Sequence, residues 1–200
     1  MNISNKLTIS RIILSIVIII ILLGGSYITS LFGLNVPKLF VNESIVIDIK
    51  YIICGILFII ASVTDFFDGY LARKYNIITD FGKLVDAIAD KILVNSVLII
   101  LSAQGFIHPI IPVVIILRDT IVNSIKMLAA SKGKVVAAIK LGKAKTACLM
   151  VGIVLTLFYN LPFELWNISV SKVILLVATV LSVISGVEYY NMNKYLIKEK

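Results

Sequence analysis

The chain has 200 residues, 60% of them hydrophobic and 15% charged, with 19 Lys and Arg against 11 Asp and Glu for a formal net charge of +8. Soluble domains average about 45–50% apolar and about 25% charged, so an ordinary cytosolic globule, a disordered chain and a collagen-like chain are excluded. The composition fits an all-α polytopic membrane protein of about six transmembrane helices forming one domain over residues 1–200, with the basic excess directed at anionic lipid or phosphate-bearing substrates rather than nucleic acid.

In chain order, Ile12–Leu23, preceded by Leu7–Arg11, reads as a retained first span, since no clear small-x-small cleavage site follows it. Gly24–Ser44, with Pro37 and Lys38, reads as a loop or interfacial segment. The second apolar run, Ile45–Val63, breaks at Thr64 into the densest polar stretch of the chain. Runs three to six cover Ala87–Ala103, Ile110–Ala130, Thr146–Tyr159 and Ile168–Val187, with Gly105, Pro109, Gly133 and Pro162 marking the breaks. Cys54 and Cys148 lie in apolar runs without metal-ligand spacing and read as packed thiols. His108, beside Pro109, reads as a solvated loop histidine. With a cytoplasmic N-terminus and six spans, every basic residue except Lys38, Lys50 and Lys172 falls at an inner end or loop, so both termini are expected in the cytoplasm.

Five of the 11 acidic residues fall between Asp65 and Asp90. Ionisable residues beside lipid are costly and usually line a site. Asp65 and Asp68 are spaced i, i+3 and share a helix face with Gly69 and Ala72; Asp86 and Asp90 are spaced i, i+4, with Gly82 one turn earlier on the same face. Asp80 is out of phase with that face and reads as a solvated helix end. Two antiparallel helices would bring the four carboxylates together, and the small residues would let a ligand approach closely. Four such carboxylates repel one another unless cations relieve them, and an all-oxygen donor set favours Mg²⁺ or Mn²⁺, two ions forming a clamp for a phosphoryl centre. Arg73 suits a diphosphate oxygen.

Residues 65–90, DFFDGYLARKYNIITDFGKLVDAIAD, resemble the D-x2-D-G-x2-A-R-x8-G-x3-D-x3-D signature of the CDP-alcohol phosphatidyltransferases at all eight fixed positions: Asp65, Asp68, Gly69, Ala72, Arg73, Gly82, Asp86 and Asp90. The opening Asn5-Lys6-Leu7-Thr8-Ile9-Ser10-Arg11, the stretch Leu141–Thr146 and the closing Ser185–Tyr190 are similar to the bacterial branch that uses sn-glycerol 3-phosphate. Ala87 stands where most members have Pro, and Asp119 where that branch has Glu. Asn123-Ser124 and Lys126 also depart from the branch pattern.

The resemblance implies a bacterial cell-membrane enzyme that moves the phosphatidyl group of CDP-diacylglycerol to an alcohol and releases CMP. It further implies a homodimer, and two divalent ions held by Asp65, Asp68, Asp86 and Asp90, with Asp90 as the base. The donor would meet Asp65, Asp68, Gly69, Ala72, Arg73, Thr79, Gly82 and Thr8. An acceptor phosphate needs cations. Arg118, Lys143 and Lys145 are the first candidates and Lys126 and Lys140 the next, all at the cytoplasmic ends of spans four and five. The same residues could instead anchor anionic headgroups. Serine, inositol phosphate or phosphatidylglycerol as acceptor, and a membrane cation transporter, are the alternative readings. The clustering of the carboxylates at one interface speaks against the transporter.

Overall fold

Six α-helices make up most of the described chain: α1 (Ile3–Phe32), α2 (Ile49–Lys74), α3 (Asp80–Ala103), α4 (Ile110–Ser131), α5 (Lys140–Leu157) and α6 (Val170–Asn193). A two-stranded antiparallel hairpin, β1 (Lys38–Val41) and β2 (Ile45–Asp48), joins α1 to α2, with Lys38 opposite Asp48 and Val41 opposite Ile45. The computed structural model describes residues 3–32, 38–41, 45–74, 80–134, 136 and 139–196. Within these, residues 3–7, 26–32, 38, 39, 41, 45, 65–74, 80–84, 86, 87 and 196 are described by their backbone alone.

Two expectations are corrected. Part of the stretch expected as loop, Gly24–Ser44, is helix as far as Phe32 and strand from Lys38 to Val41. The second span does not begin at Ile45: Ile45–Asp48 is a strand, and the helix starts at Ile49. Val41, Ile45, Val46 and Ile47 are β-branched, and a short apolar run carries no periodicity that separates strand from helix. Elsewhere the helices outrun their apolar runs. α3 starts at Asp80 rather than Ala87, α5 at Lys140 rather than Thr146, and α6 continues to Asn193 rather than Val187. Hydropathy marks the lipid-compatible part of a helix, not its hydrogen-bonded ends.

The buried face of α1 is Thr8, Arg11, Ser15, Ile18 and Leu22, a stripe at alternating three- and four-residue steps. It packs against both α2 and α3. Gln104 Nε2, just past α3, donates to Leu22 O at 2.9 Å, and Tyr51 Oη donates to Gln104 Oε1 at 3.1 Å. Cys54 Sγ faces Ile18 O at 3.9 Å. The start of α2 and the end of α3 therefore meet the second half of α1, so α2 runs antiparallel to α1 and α3 parallel to it.

The same end is closed by rings. Tyr51, Phe106 and Tyr159 pack edge to face with centroids 4.9–5.6 Å apart, and Tyr159 Oη accepts the Asp48 N–H at 3.1 Å. The α5–α6 connection is tied by Asn160, whose Nδ2 donates to Glu164 Oε2 and Ile168 O while its Oδ1 accepts the Ser171 N–H. His108 is exposed, as expected, and its Nδ1 accepts the Ile110 N–H at 3.3 Å. Both cysteines are free thiols.

The helices are apolar outside as well as inside. Ile13, Ile16, Ile20 and Leu23 on α1, Ile53, Ile56, Ile60 and Val63 on α2, and Ile110, Val113, Leu117 and Ile121 on α4 form exposed stripes at helical spacing. On α6, Val173, Leu176, Val180, Val183 and Val187 do the same. Contiguous exposed apolar surface of this extent marks contact with lipid rather than water. Thr8–Gly25 and Val170–Asn193, of mean hydropathy 2.4 and 2.2, are each long and apolar enough to cross a membrane. Hydroxyls on the helices bond back to carbonyls four residues earlier, as Ser62, Thr64, Thr120, Thr156 and Thr179 do, which satisfies them without water.

α5 and α6 pack tightly at Gly152, where an added Cβ would lie 2.6 Å from Leu175 Cδ2. Both residues are buried. Gly152→Val should therefore overpack this contact and destabilise by about 1–3 kcal/mol, read as a lower midpoint of thermal unfolding in detergent. Val151→Ala, on the exposed side of the same helix, should leave the midpoint nearly unchanged.

Candidate active site

The acidic motif lies where its spacing predicts helix. Asp65, Asp68, Gly69, Ala72 and Arg73 occupy the last turns of α2, and Gly82, Asp86 and Asp90 the first turns of α3. Thr79 lies outside the described residues, as do the side chains of Asp65, Asp68, Gly69, Ala72, Arg73, Gly82 and Asp86. Asp90 is the motif carboxylate whose side chain is described, and it is half-buried. Among the described residues no three His, Cys, Asp or Glu side chains converge.

Helix register places the motif relative to α1. From the Leu22–Gln104 contact, 14 residues back along parallel α1 and α3 reach Thr8 and Asp90, a rise of about 21 Å on each. From the Ile18–Cys54 contact, ten residues along antiparallel α1 and α2 reach Thr8 and Thr64, the neighbour of Asp65. Thr8, the acidic end of α2 and Asp90 are thus level, at the end of the bundle opposite the aromatic cluster. Thr8 is buried, 1% exposed, and Arg11, one turn further along α1, is the largest fully buried side chain among the described residues. In the sequence Arg11 stands out only as one of the basic residues at the head of the first span. Its burial, one turn from Thr8 on the inner face, is what singles it out.

A charged network stands at this level on α4 and α5. The Asp119 carboxylate accepts Lys145 Nζ at 2.8 Å on both oxygens and Arg118 Nη1 at 3.0 Å. Arg118 Nη2 donates to Ser185 Oγ on α6 at 2.9 Å. Lys145 is 3% exposed, and Asp90 lies within electrostatic reach of it. Arg118 is seated closely: at Gly186 an added Cβ would stand 2.9 Å from Arg118 Cγ, so only a glycine leaves room for the arginine stem.

Beside the network opens a cavity of about 480 Å³ between α2, α4, α5 and α6. Ser62, Arg118, Lys126, Lys143, Thr146 and Tyr189 supply its polar wall, and Val122 and Met150 contribute apolar surface. Of the three first candidates for an acceptor phosphate, Arg118 and Lys143 come together on this wall, and Lys126 joins them. Lys145 does not line it, because its ammonium is committed to Asp119. Lys140 is exposed and off the wall. A recess of this size carrying three cations suits a small anionic ligand.

The profile of the CDP-alcohol phosphatidyltransferase family matches residues 1–184. The chain is 39% identical over 197 residues, 98% of its length and 97% of the relative's, to a CDP-diacylglycerol--glycerol-3-phosphate 3-phosphatidyltransferase of Bacillus subtilis. A protein of the same description from Rickettsia felis is 31% identical over 194 residues, 96% of each chain. One from Mycoplasma genitalium is 40% identical over 157 residues, 78% of this chain and 65% of that one.

The ion pair makes a prediction of its own. Asp119→Asn strands the buried Lys145 ammonium and frees one arm of Arg118. A buried pair broken on one side costs about 3–5 kcal/mol. Because the Asp119 side chain is 22% exposed, the expected loss is about 1–3 kcal/mol. Adding Lys145→Met should recover much of it, and thermal unfolding of the single and double variants measures the difference.

Proposed function

Because the chain belongs to the CDP-alcohol phosphatidyltransferase family, we propose that it transfers the phosphatidyl group of CDP-diacylglycerol to sn-glycerol 3-phosphate, giving phosphatidylglycerol phosphate and CMP. One observation carries the choice of acceptor. A cavity walled by Arg118, Lys126 and Lys143 opens at the level of Asp90 and of the acidic end of α2. Arg118 already shares the Asp119 carboxylate, and the dianionic phosphate of a phosphorylated alcohol matches the remaining positive charge of Lys126 and Lys143 better than the single carboxylate of zwitterionic serine does. The names of the relatives point to the same donor and acceptor.

The whole chain acts as one membrane domain with six spans. The helices run from 18 to 30 residues, so they rise about 27–45 Å against a hydrocarbon core of about 30 Å. α5 carries Lys140, Lys143 and Lys145 in the half near the site, and α4 carries Lys126 there with Arg118 and Asp119 at its middle. That end faces the cytoplasm, with both termini, by the distribution of Lys and Arg. The enzyme works as a homodimer, as the family resemblance implies.

Family membership also implies a divalent metal. The residues present fit one: four carboxylates, two on each of two consecutive helices at one-turn spacing, form a hard-oxygen set suited to Mg²⁺ or Mn²⁺. Asp65, Asp68, Asp86 and Asp90 would hold two ions. When bound, the ions neutralise the donor diphosphate and the departing CMP oxygen. Gly69, Ala72, Arg73, Thr79, Gly82 and Thr8 take the CDP part of the donor, the glycines and alanine by close approach and Arg73 by charge.

Arg118 and Lys143 orient glycerol 3-phosphate by its phosphate, so that a hydroxyl faces the donor. The hydroxyl oxygen forms a bond to the β-phosphorus while the bond from that phosphorus to the bridging oxygen breaks. CMP leaves with the bridging oxygen, and Asp90 takes the hydroxyl proton. Lys145 and Asp119 touch neither substrate in this scheme; they hold Arg118 at the cavity wall.

Purified protein, CDP-diacylglycerol and Mg²⁺ with a panel of labelled alcohols test the proposal, with CMP release as readout. Turnover with serine and none with glycerol 3-phosphate would overturn it. Asp68→Asn and Asp86→Asn should each bring CMP release below about a tenth of wild type, since an amide is a poorer ligand for Mg²⁺ than a carboxylate. EDTA should stop the reaction, and Mg²⁺ or Mn²⁺ should restore it.

The acceptor seat is separable from the donor seat. Arg118→Ala and Lys143→Ala should raise KM for glycerol 3-phosphate roughly 10- to 150-fold, the worth of a charge-assisted contact, and leave KM for CDP-diacylglycerol little changed. Lys194→Ala, exposed after the end of α6, is the control and should change neither. Equal behaviour of all three variants would reduce the cluster to a belt for anionic headgroups.

A further inference from the structure

One group on the cavity wall is explained neither by the acidic motif nor by the charge pattern. Tyr189, on α6, is 2% exposed, and its hydroxyl has no hydrogen-bond partner among the described residues. Arg118 Nε is in the same condition, although the other two guanidinium nitrogens are fixed on Asp119 and Ser185. A buried phenol ordinarily finds a partner, and a buried donor left without one is costly. Two such groups beside one cavity indicate that the missing partner is a ligand.

The ring itself is fixed. Tyr189 packs with Val122 and Ile125 of α4, with Val136 and Ile139 against them, and Lys126 Nζ stands 6.0 Å from its centroid. The Arg118 guanidinium is near enough for its charge to act on the phenol. α6 thus brings three residues to one arginine: Ser185 accepts from it, Gly186 makes room for its stem and Tyr189 stands beside it. An O–H and an N–H donor with cations at both sides match phosphate oxygens, which accept only.

We propose that Tyr189 is a specificity-determining residue, its hydroxyl and Arg118 Nε donating together to the phosphate of the acceptor alcohol, so that the site selects a phosphorylated acceptor over the unphosphorylated one. This rests on the reading of the cavity as the acceptor seat. Selection of this kind comes from polar groups that stay unpaired when the wrong substrate binds.

Tyr189→Phe removes the hydroxyl alone and keeps the ring under Lys126. With the full-length protein in detergent micelles, KM for glycerol 3-phosphate should rise about 10-fold or more, the scale for a hydrogen bond to a charged group. KM for CDP-diacylglycerol and kcat should stay within about 2-fold, the pattern of a lost binding contact. The preference for glycerol 3-phosphate over glycerol should fall by the same factor as KM rises. Inorganic phosphate, as a competitor of glycerol 3-phosphate, should weaken in parallel. The unfolding midpoint should hold or rise, because an unpaired buried hydroxyl has been removed.

A variant with unchanged KM for glycerol 3-phosphate, or with both KM values shifted equally, overturns the assignment while wild-type activity on glycerol 3-phosphate upholds the acceptor. A wild type that transfers only to unphosphorylated alcohols overturns the acceptor reading itself, and the Tyr189 assignment with it.

Discussion

Asp119 binds two cations, Lys145 and Arg118, and the arrangement of α4, α5 and α6 follows from it. Lys145 cannot sit 3% exposed on the inner face of α5 without a counter-charge. Asp119 supplies that charge from α4 and, on the same carboxylate, takes one nitrogen of Arg118. Arg118 then reaches Ser185, so the third helix is drawn into the network. The guanidinium is held in plane by these two contacts and lies along the cavity wall instead of swinging toward the lipid or the water. Neutralising a buried lysine and holding an arginine on the cavity wall are one arrangement.

Much of this was readable in the sequence, and what was not has definite causes. The aspartates at 65, 68, 86 and 90 announced two helices because carboxylates at one-turn spacing have little reason to recur beside lipid except on one helix face. Of the two hairpin strands, Lys38–Val41 was hidden in a stretch that reads as loop, and Ile45–Asp48 because a four-residue apolar strand looks like the start of a span. Lys143 and Lys145 looked equivalent in a basic cluster, yet residues two apart on a helix point to different sides. One faces the cavity and the other Asp119, and charge counting has no access to which side is inward. Tyr189 lies in the Ser185–Tyr190 stretch that resembles the family, but nothing in the sequence set it apart from its neighbours, since an aromatic residue in an apolar helix is what any packed span contains.

The two ends of the bundle are built from different interactions. At one, Gln104, Tyr51, Phe106 and Tyr159 lock α1, α2, α3 and the turn after α5 through hydrogen bonds and ring contacts. At the other, acidic and basic side chains gather, and the helices enclose a cavity. An α-helix transmits register over its length, so the lock fixes the height of Thr8 against Asp90 about 21 Å away. A slip of one helix by a turn, about 5.4 Å, would break the Gln104 contacts and misalign the acidic motif together.

The outward stripes of isoleucine, leucine and valine on α1, α2, α4 and α6 have a consequence for kinetics. A protein with such a perimeter has hydrocarbon as its surroundings, and its lipid donor is dissolved in that same phase. The donor then reaches the site by lateral diffusion in two dimensions, and the quantity that saturates the enzyme is its mole fraction among the surrounding amphiphiles, not its amount per volume of buffer. The acceptor comes from water and obeys ordinary molarity. Diluting the donor with neutral detergent at constant bulk concentration therefore slows the reaction, and the two substrates of one transfer are counted in different units.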